Sequence, residues 1–245
     1  MIKKILLTLL LLAATAYLAW AVTTLSARPA GAVCQDIDLV IRDTLGSGFI
    51  TRGEVASILG QAGLSPVGRP LDSVRTAAIE QALSGHALVD HVECYKTPSS
   101  RLRVEIYQRV PILRIISDAG ESYFIDNKGM AMPSDLKCAA HLPVATGHVE
   151  KSFALHNLYQ FALYLQGNAF WRANVEQINV LQDGGVELVP RVGDHIIYLG
   201  TLDEVERKLD RVRRFYERGL NQVGWNRYNV INVEYPNQVI CTRQR

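Results

Sequence analysis

Hydrophobic and polar positions alternate strictly from Leu102 to Tyr107. Leu102, Val104 and Ile106 fall on one face, and Arg103, Glu105 and Tyr107 on the other, the pattern of a half-buried strand. The apolar run then continues to Ile115 through Pro111. Upstream, "VCQDIDLVIRD" and "ALVDHVECYK" read as two further strands. "TRGEVASILGQAG" reads as a short helix with a Thr51/Glu54 capping box, an apolar face of Val55, Ile58, Leu59 and Ala62, and a stop at Gly63. "PLDSVRTAAIEQALSG" reads as a second helix, N-capped by Asp72 and ending near Gly85. The predicted order over residues 33–115 is β-α-α-β-β, three strands on two helices around one core.

The remainder, 116–245, has a different pattern. "GESYFIDNKGMAMP" predicts strand, Asn-Lys-Gly turn, strand. "SFALHNLYQFALYLQG" places Leu155, Leu158, Ala162 and Leu165 at helical spacing. "VEQINVLQ", "GVELVPRV" and "HIIYLG" predict three strands joined by glycine turns. "TLDEVERKLDRVRRFYERGL" predicts a helix capped by Thr201 and Glu204 and ended by Gly219, with a stripe of Leu202, Val205, Leu209, Val212 and Phe215 packed on a sheet. "YNVINVEY", a Pro236-Asn237 turn and "QVICTR" predict a final hairpin. The fold class is α+β, the second domain being a β-sheet with flanking helices.

The N-terminal pattern is not periodic. After a start at residues 1–4, no charged residue occurs from Ile5 to Ala27. Ile5 to Val22 as a helix spans roughly 27 Å, close to the ~30 Å hydrocarbon core of a bilayer. Residues 5–25 therefore predict a transmembrane helix, and 26–32 a linker. Lys3 and Lys4 place its start in the cytoplasm and the bulk of the chain outside. A cleaved signal peptide with Ala19–Ala21 as its site has the same composition. A signal core of about 7–15 residues is shorter than this run, which favours the uncleaved anchor.

Composition adds little to this picture. The 245 residues are 48% hydrophobic and 20% charged, and 26 basic against 24 acidic side chains leave a net charge of +2. That balance gives no reason to expect a nucleic-acid partner. Cys34, Cys94, Cys138 and Cys241 form no CxxC, and no histidine stands at ligand spacing beside them, so no metal is expected. Export permits disulfides. The sequence leaves open any of the three full pairings as well as lone buried thiols. "GSGFITRG" lacks the third glycine of a dinucleotide loop, with Thr51 in its place, and reads as a turn. No nucleophile elbow, HExxH or P-loop is present. Asp36 and Asp38 share a strand face without a partnering base and read as solvated. No catalytic residue and no cofactor is expected.

Several local patterns, in order, resemble the FtsQ/DivIB family of bacterial cell-division proteins. They are "FITRGEVASIL", "IEQALSGHALVDHVECYK", "LRVEIYQRVPILRI", "YFIDNKGMAMP" and "INVEY". Ala87 stands where the family has proline and Gln108 where it has glutamate, and Asn232 and Glu234 depart from its "vDLRY". The resemblance covers essentially the whole chain. It implies a membrane helix, a POTRA domain and a β-rich domain, with "QRVP" as the junction: Pro111 cannot donate a ladder hydrogen bond and holds Val110 extended. Arg109 beside it is expected to be either a surface anchor or solvated.

The resemblance further implies a non-enzymatic scaffold in the inner membrane at the division septum. It would bind FtsB-like and FtsL-like single-pass membrane proteins, together with other divisome components, and support septal peptidoglycan synthesis. In the family a partner adds a strand to the edge formed by the last strand. Here that edge would be Gln238, Val239, Ile240, Cys241 and Thr242, with Tyr235 as a side-chain anchor. The alternative is an exported POTRA-bearing transport or outer-membrane assembly factor, against which the chain is too short for an added barrel. A secreted hydrolase would need a site that no motif supplies.

Overall fold

The computed structural model describes residues 2–25, 31–42, 50–134 and 142–243. Most of the expected linker, the first part of "GSGFITRG" and Cys138 lie outside the described residues. Helix α1, Ile2–Leu25, contains the run Lys3–Val22, with mean hydropathy 2.3 and apolar side chains exposed. By length and composition it suffices to cross a membrane.

The chain divides into two compact units, the boundary falling between Gln108 and Arg109. The first holds β1 (Ile37–Arg42), α2 (Arg52–Gln61), α3 (Thr76–Ser84), β2 (Val89–Lys96) and β3 (Leu102–Gln108). Its sheet runs β1-β3-β2, with β1 parallel and β2 antiparallel to β3. Alternation puts Leu102, Val104 and Ile106 in the core, against Val55 and Leu59 of α2 and Ile79 and Leu83 of α3. The Thr51/Glu54 capping box forms: the Thr51 hydroxyl accepts from Glu54 N–H, and the Glu54 carboxylate accepts from Thr51 N–H at 2.8 Å. Asp72, in contrast, does not cap α3. It lies in a short 3₁₀ turn, Leu71–Ser73, and α3 starts later behind Arg75 with no side-chain cap. Pro70, just before this turn, has its φ fixed by the ring at −55° and lies at ψ 130°.

On the face away from the helices, Glu105 is buried despite its polar position in the alternation. Its carboxylate accepts from Arg103 Nε at 2.8 Å, from Arg42 at 3.0 Å and from the Tyr95 hydroxyl at 3.0 Å. Arg103 also reaches Asp38 at 3.1 Å, so this acid is paired. The Arg103 hydrogen bond, then those of Arg42 and Tyr95, hold the Glu105 carboxyl down at about 2, from an ordinary 4.5. A folded-state value below the unfolded one means that the network contributes fully above about 4.5 and is lost as pH falls toward 2. The melting midpoint of the protein should therefore drop across that window, and Glu105→Gln should have a lower midpoint near neutrality and a flatter profile. Parallel profiles for the two proteins would refute this account.

The second unit is built on one nine-stranded sheet, in the order β12-β11-β10-β9-β8-β7-β4-β5-β6. In chain order come β4 (Pro111–Ser117), β5 (Ser122–Asp126), β6 (Ala131–Met132) and β7 (Val144–Gly147). The next helix runs from α4 (Lys151–Phe153) through a π-helical turn into α5 (Tyr159–Gly167), and α6 (Ala169–Asn174) follows. Then come β8 (Val175–Val180), β9 (Val186–Pro190), β10 (Ile196–Gly200) and α7 (Val205–Phe215). A second π turn, α8 (Asn221–Val223), β11 (Tyr228–Asn232) and β12 (Ile240–Arg243) complete the unit. Leu158, Phe161, Ala162 and Leu165 form one core with Leu209 and Val212 of α7, with Ile112, Leu113 and Ile115 of β4, and with Ile178, Leu188 and Ile197.

A buried aromatic group lies beside them: Trp171, Tyr216 and His195, with the half-buried Trp225 edge-on to Tyr216 at 4.9 Å. The Tyr216 hydroxyl lies 2.5 Å from His195 Nε2, and burial holds His195 below the usual histidine range.

Two expectations about α7 need correction. No capping box forms at Thr201 and Glu204: Glu204 is left-handed at φ 50° and its carboxylate pairs with Arg207, while the Thr201 hydroxyl donates to Asp203. Lys208 instead reaches back to the Thr201 carbonyl at 2.8 Å. Nor does Gly219 end the helix. The chain continues through Tyr216–Leu220 and α8, and turns at Gly224, φ 97°.

The candidate partner-binding edge

The last two strands reach the sheet by different routes. After β10, α7 and α8 carry the chain back over the core, so β11 returns parallel to β10, with Ile197 opposite Ile231. β12 then folds back antiparallel on β11, with Cys241 opposite Ile231 and Ile240 opposite Asn232. β12 is the outermost strand on its side of the sheet. Its second backbone edge has no strand beside it among the described residues, the geometry that strand addition uses.

The turn between β11 and β12 is held from inside. The Arg211 guanidinium of α7 donates to the carbonyls of Val233, at 2.6 Å, and Tyr235, at 3.2 Å. Val233 N–H donates to the Tyr198 carbonyl at 3.0 Å, and Asn232 Oδ1 accepts from Glu234 N–H at 2.9 Å. Asn237 takes the left-handed conformation, φ 62°, which asparagine tolerates. The connection is thus fixed by a half-buried arginine, while β12 itself spans only four residues.

Of the residues singled out from the sequence, Ile240, Cys241 and Thr242 lie in β12, and Gln238 and Val239 precede it. Arg243, left out of that set, completes the strand. Val239 and Cys241 pack toward the core, and burial raises the Cys241 thiol pKa. Ile240 and Tyr235 are about half exposed, at 47% and 50%. The apolar surface at the edge therefore comes from Tyr235 and Ile240, at the end where β12 begins. Sequence reasoning misses Arg211. Its position on the helix suggests only an exposed base, and nothing local signals the two carbonyls it meets.

At the junction, β3 ends at Gln108 and β4 begins at Pro111, so residues 111–115, which the expected bound of 33–115 put in the first domain, belong to the larger sheet. Arg109 is neither a surface anchor nor solvated. Its Nε lies 2.7 Å from Asp126 Oδ2, with the two side chains 14% and 2% exposed. Its guanidinium also donates to the Ala131 carbonyl at 3.2 Å. The other oxygen of Asp126 accepts from Lys128 N–H at 2.9 Å and Met130 N–H at 2.7 Å, which closes the β5–β6 turn. This cluster is structural.

Among the described residues, no group of three or more histidine, cysteine or acidic side chains is placed to hold a metal. The chain was compared with known proteins. No curated protein matches it. Residues 32–107 match the model of a POTRA-like domain. Residues 110–242, more than half of the chain, match the model described as FtsQ/DivIB, C-terminal related. The two matches meet across Gln108 and Arg109, where the contacts divide the chain. With β-α-α-β-β followed by a nine-stranded sheet, and both parts matched in that order, the chain belongs to the FtsQ/DivIB family.

Proposed function

We propose that the protein is a bitopic membrane scaffold that takes a partner strand at β12. The FtsQ/DivIB family is a non-catalytic cell-division scaffold family, and its domains support that role here. The finer reading is ours. The N-terminus lies in the cytoplasm, α1 spans the inner membrane, and the remainder acts outside the cytoplasm at the division septum. The partners are small single-pass proteins of the FtsB and FtsL type, and the assembly supports septal peptidoglycan synthesis. The observation that carries this reading is the open outer edge of β12 beside the exposed Tyr235 and Ile240.

Magnitudes decide how such an edge would bind. Four added backbone hydrogen bonds supply roughly 2–6 kcal/mol net, while micromolar binding needs about 8 kcal/mol. Side-chain anchors must contribute the rest, and Tyr235 and Ile240 are the apolar side chains that the edge offers. Backbone N–H groups of a strand alternate between its neighbours, and proline removes one donor. Separate proline substitutions at Ile240, Cys241 and Thr242 should therefore alternate in effect. Where the lost N–H faces outward, partner binding should disappear with the melting midpoint unchanged. Where it faces β11, stability should fall by on the order of 1 kcal/mol or more. Binding of an FtsB-type partner and the melting midpoint, measured for all three variants, decide the matter. Normal binding in all three would rule out strand addition at this edge.

A further inference from the structure

The two ends of the larger sheet differ in charge. At one end β8 begins, β9 finishes, β10 and β11 begin and β12 finishes, as the pairs Val175–Pro190, Ile196–Val230 and Tyr228–Arg243 require. That end carries Arg172, Arg191, Arg227 and Arg243, all exposed and none in an ion pair with another described residue. Glu176, Glu187 and Asp194 are the acids within four residues of them in sequence. The other end, after β8, β10 and β11, is mixed: it carries Asp183, Asp203 and Glu234 together with Lys208 and Arg211, which donate to the Thr201 and Val233 carbonyls there.

The basic end also exposes apolar side chains. Val192, at the tip between β9 and β10, is 43% exposed, and Val223, at the end of α8, is 41% exposed. Trp225 joins the two: its indole N–H donates to Asn221 of α8, and its ring lies against the turn at Gly193. Five strands at about 4.8 Å spacing make this end roughly 19 Å wide.

We propose that this end is a contact site for an anionic phospholipid surface. Arginine binds phosphate through two parallel N–H donors, which lysine cannot do. Tryptophan beside small apolar side chains suits the headgroup boundary. α1 is long and apolar enough to tether the chain to a bilayer, and the inference rests on that reading of α1. Each basic residue near such a surface is worth roughly a fivefold change in partition.

The test uses the full chain in nanodiscs, with phosphatidylcholine alone or mixed with phosphatidylglycerol, and no protein partner. Amide hydrogen exchange is read at 191–195 and 223–228. The expected result is protection in the anionic discs only, lost at high salt and lost in the triple variant Arg191→Glu, Arg227→Glu, Arg243→Glu. The salt response of the unmodified protein keeps the test decisive even where that variant folds poorly. Equal exchange in both discs, or protection that survives salt, overturns the proposal. So does equal protection of the same amides by soluble polyglutamate in neutral discs, which assigns the surface to an acidic polypeptide.

Discussion

Asp126→Ala is expected to destabilise the second unit by about 3–5 kcal/mol, the usual cost of removing one partner from a buried ion pair. Asp126 is 1% exposed. Its loss takes the carboxylate from the Arg109 guanidinium, whose side chain is 14% exposed. It also strips Lys128 N–H and Met130 N–H of their acceptor and so opens the β5–β6 turn. Arg109→Ala should cost less, because Asp126 keeps both backbone donors. Urea unfolding of the two variants near neutral pH checks the order. A loss below about 1 kcal/mol for Asp126→Ala would mean that water replaces the pair at little cost.

Gly147→Ala should cost a similar amount for a different reason. Gly147 sits at φ +87°, and a Cβ there would overlap the Val180 carbonyl oxygen and lie 2.7 Å from Asn179 Oδ1. The obstacle is backbone in the neighbouring strand. That same carbonyl accepts from His148 N–H at 2.8 Å, so retreat breaks a ladder contact. Overpacking of about 1–3 kcal/mol and left-handed strain of about 1–2 kcal/mol add to roughly 2–5 kcal/mol. Gly184 provides the control. It has φ +83° with nothing within 4 Å of its Cβ position, so Gly184→Ala carries the strain alone. Equal losses for the two variants would show that close approach is not the cause.

Local signals were legible where one segment satisfies itself. The alternation at Leu102–Tyr107 and the Thr51/Glu54 box needed only their neighbours in sequence, and the structure forms both. The same box pattern at Thr201/Glu204 failed because the Thr201 hydroxyl turns to Asp203 and the left-handed Glu204 pairs with Arg207. Asp72 failed because a tight turn stands where the helix was expected to start. Contacts across strands were not legible. Arg109 lies between β3 and β4 while Asp126 ends β5, and no spacing rule pairs them. The edge strand was legible as a hairpin but its anchoring by Arg211 was not, since α7 and that turn lie apart in sequence and meet only in the folded unit. The four arginines are scattered along the sequence and become one surface only when the strand ends align.

The position of β12 has a consequence for timing. β12 follows the other eight strands of its sheet in the chain, so it is the last of them to leave the ribosome. A chain cut short before Gln238 would end its sheet at β11, with neither Ile240 nor the return strand in place. A partner that docks on β12 would pass such a chain by, so recruitment would double as a check that synthesis had run past the final hairpin.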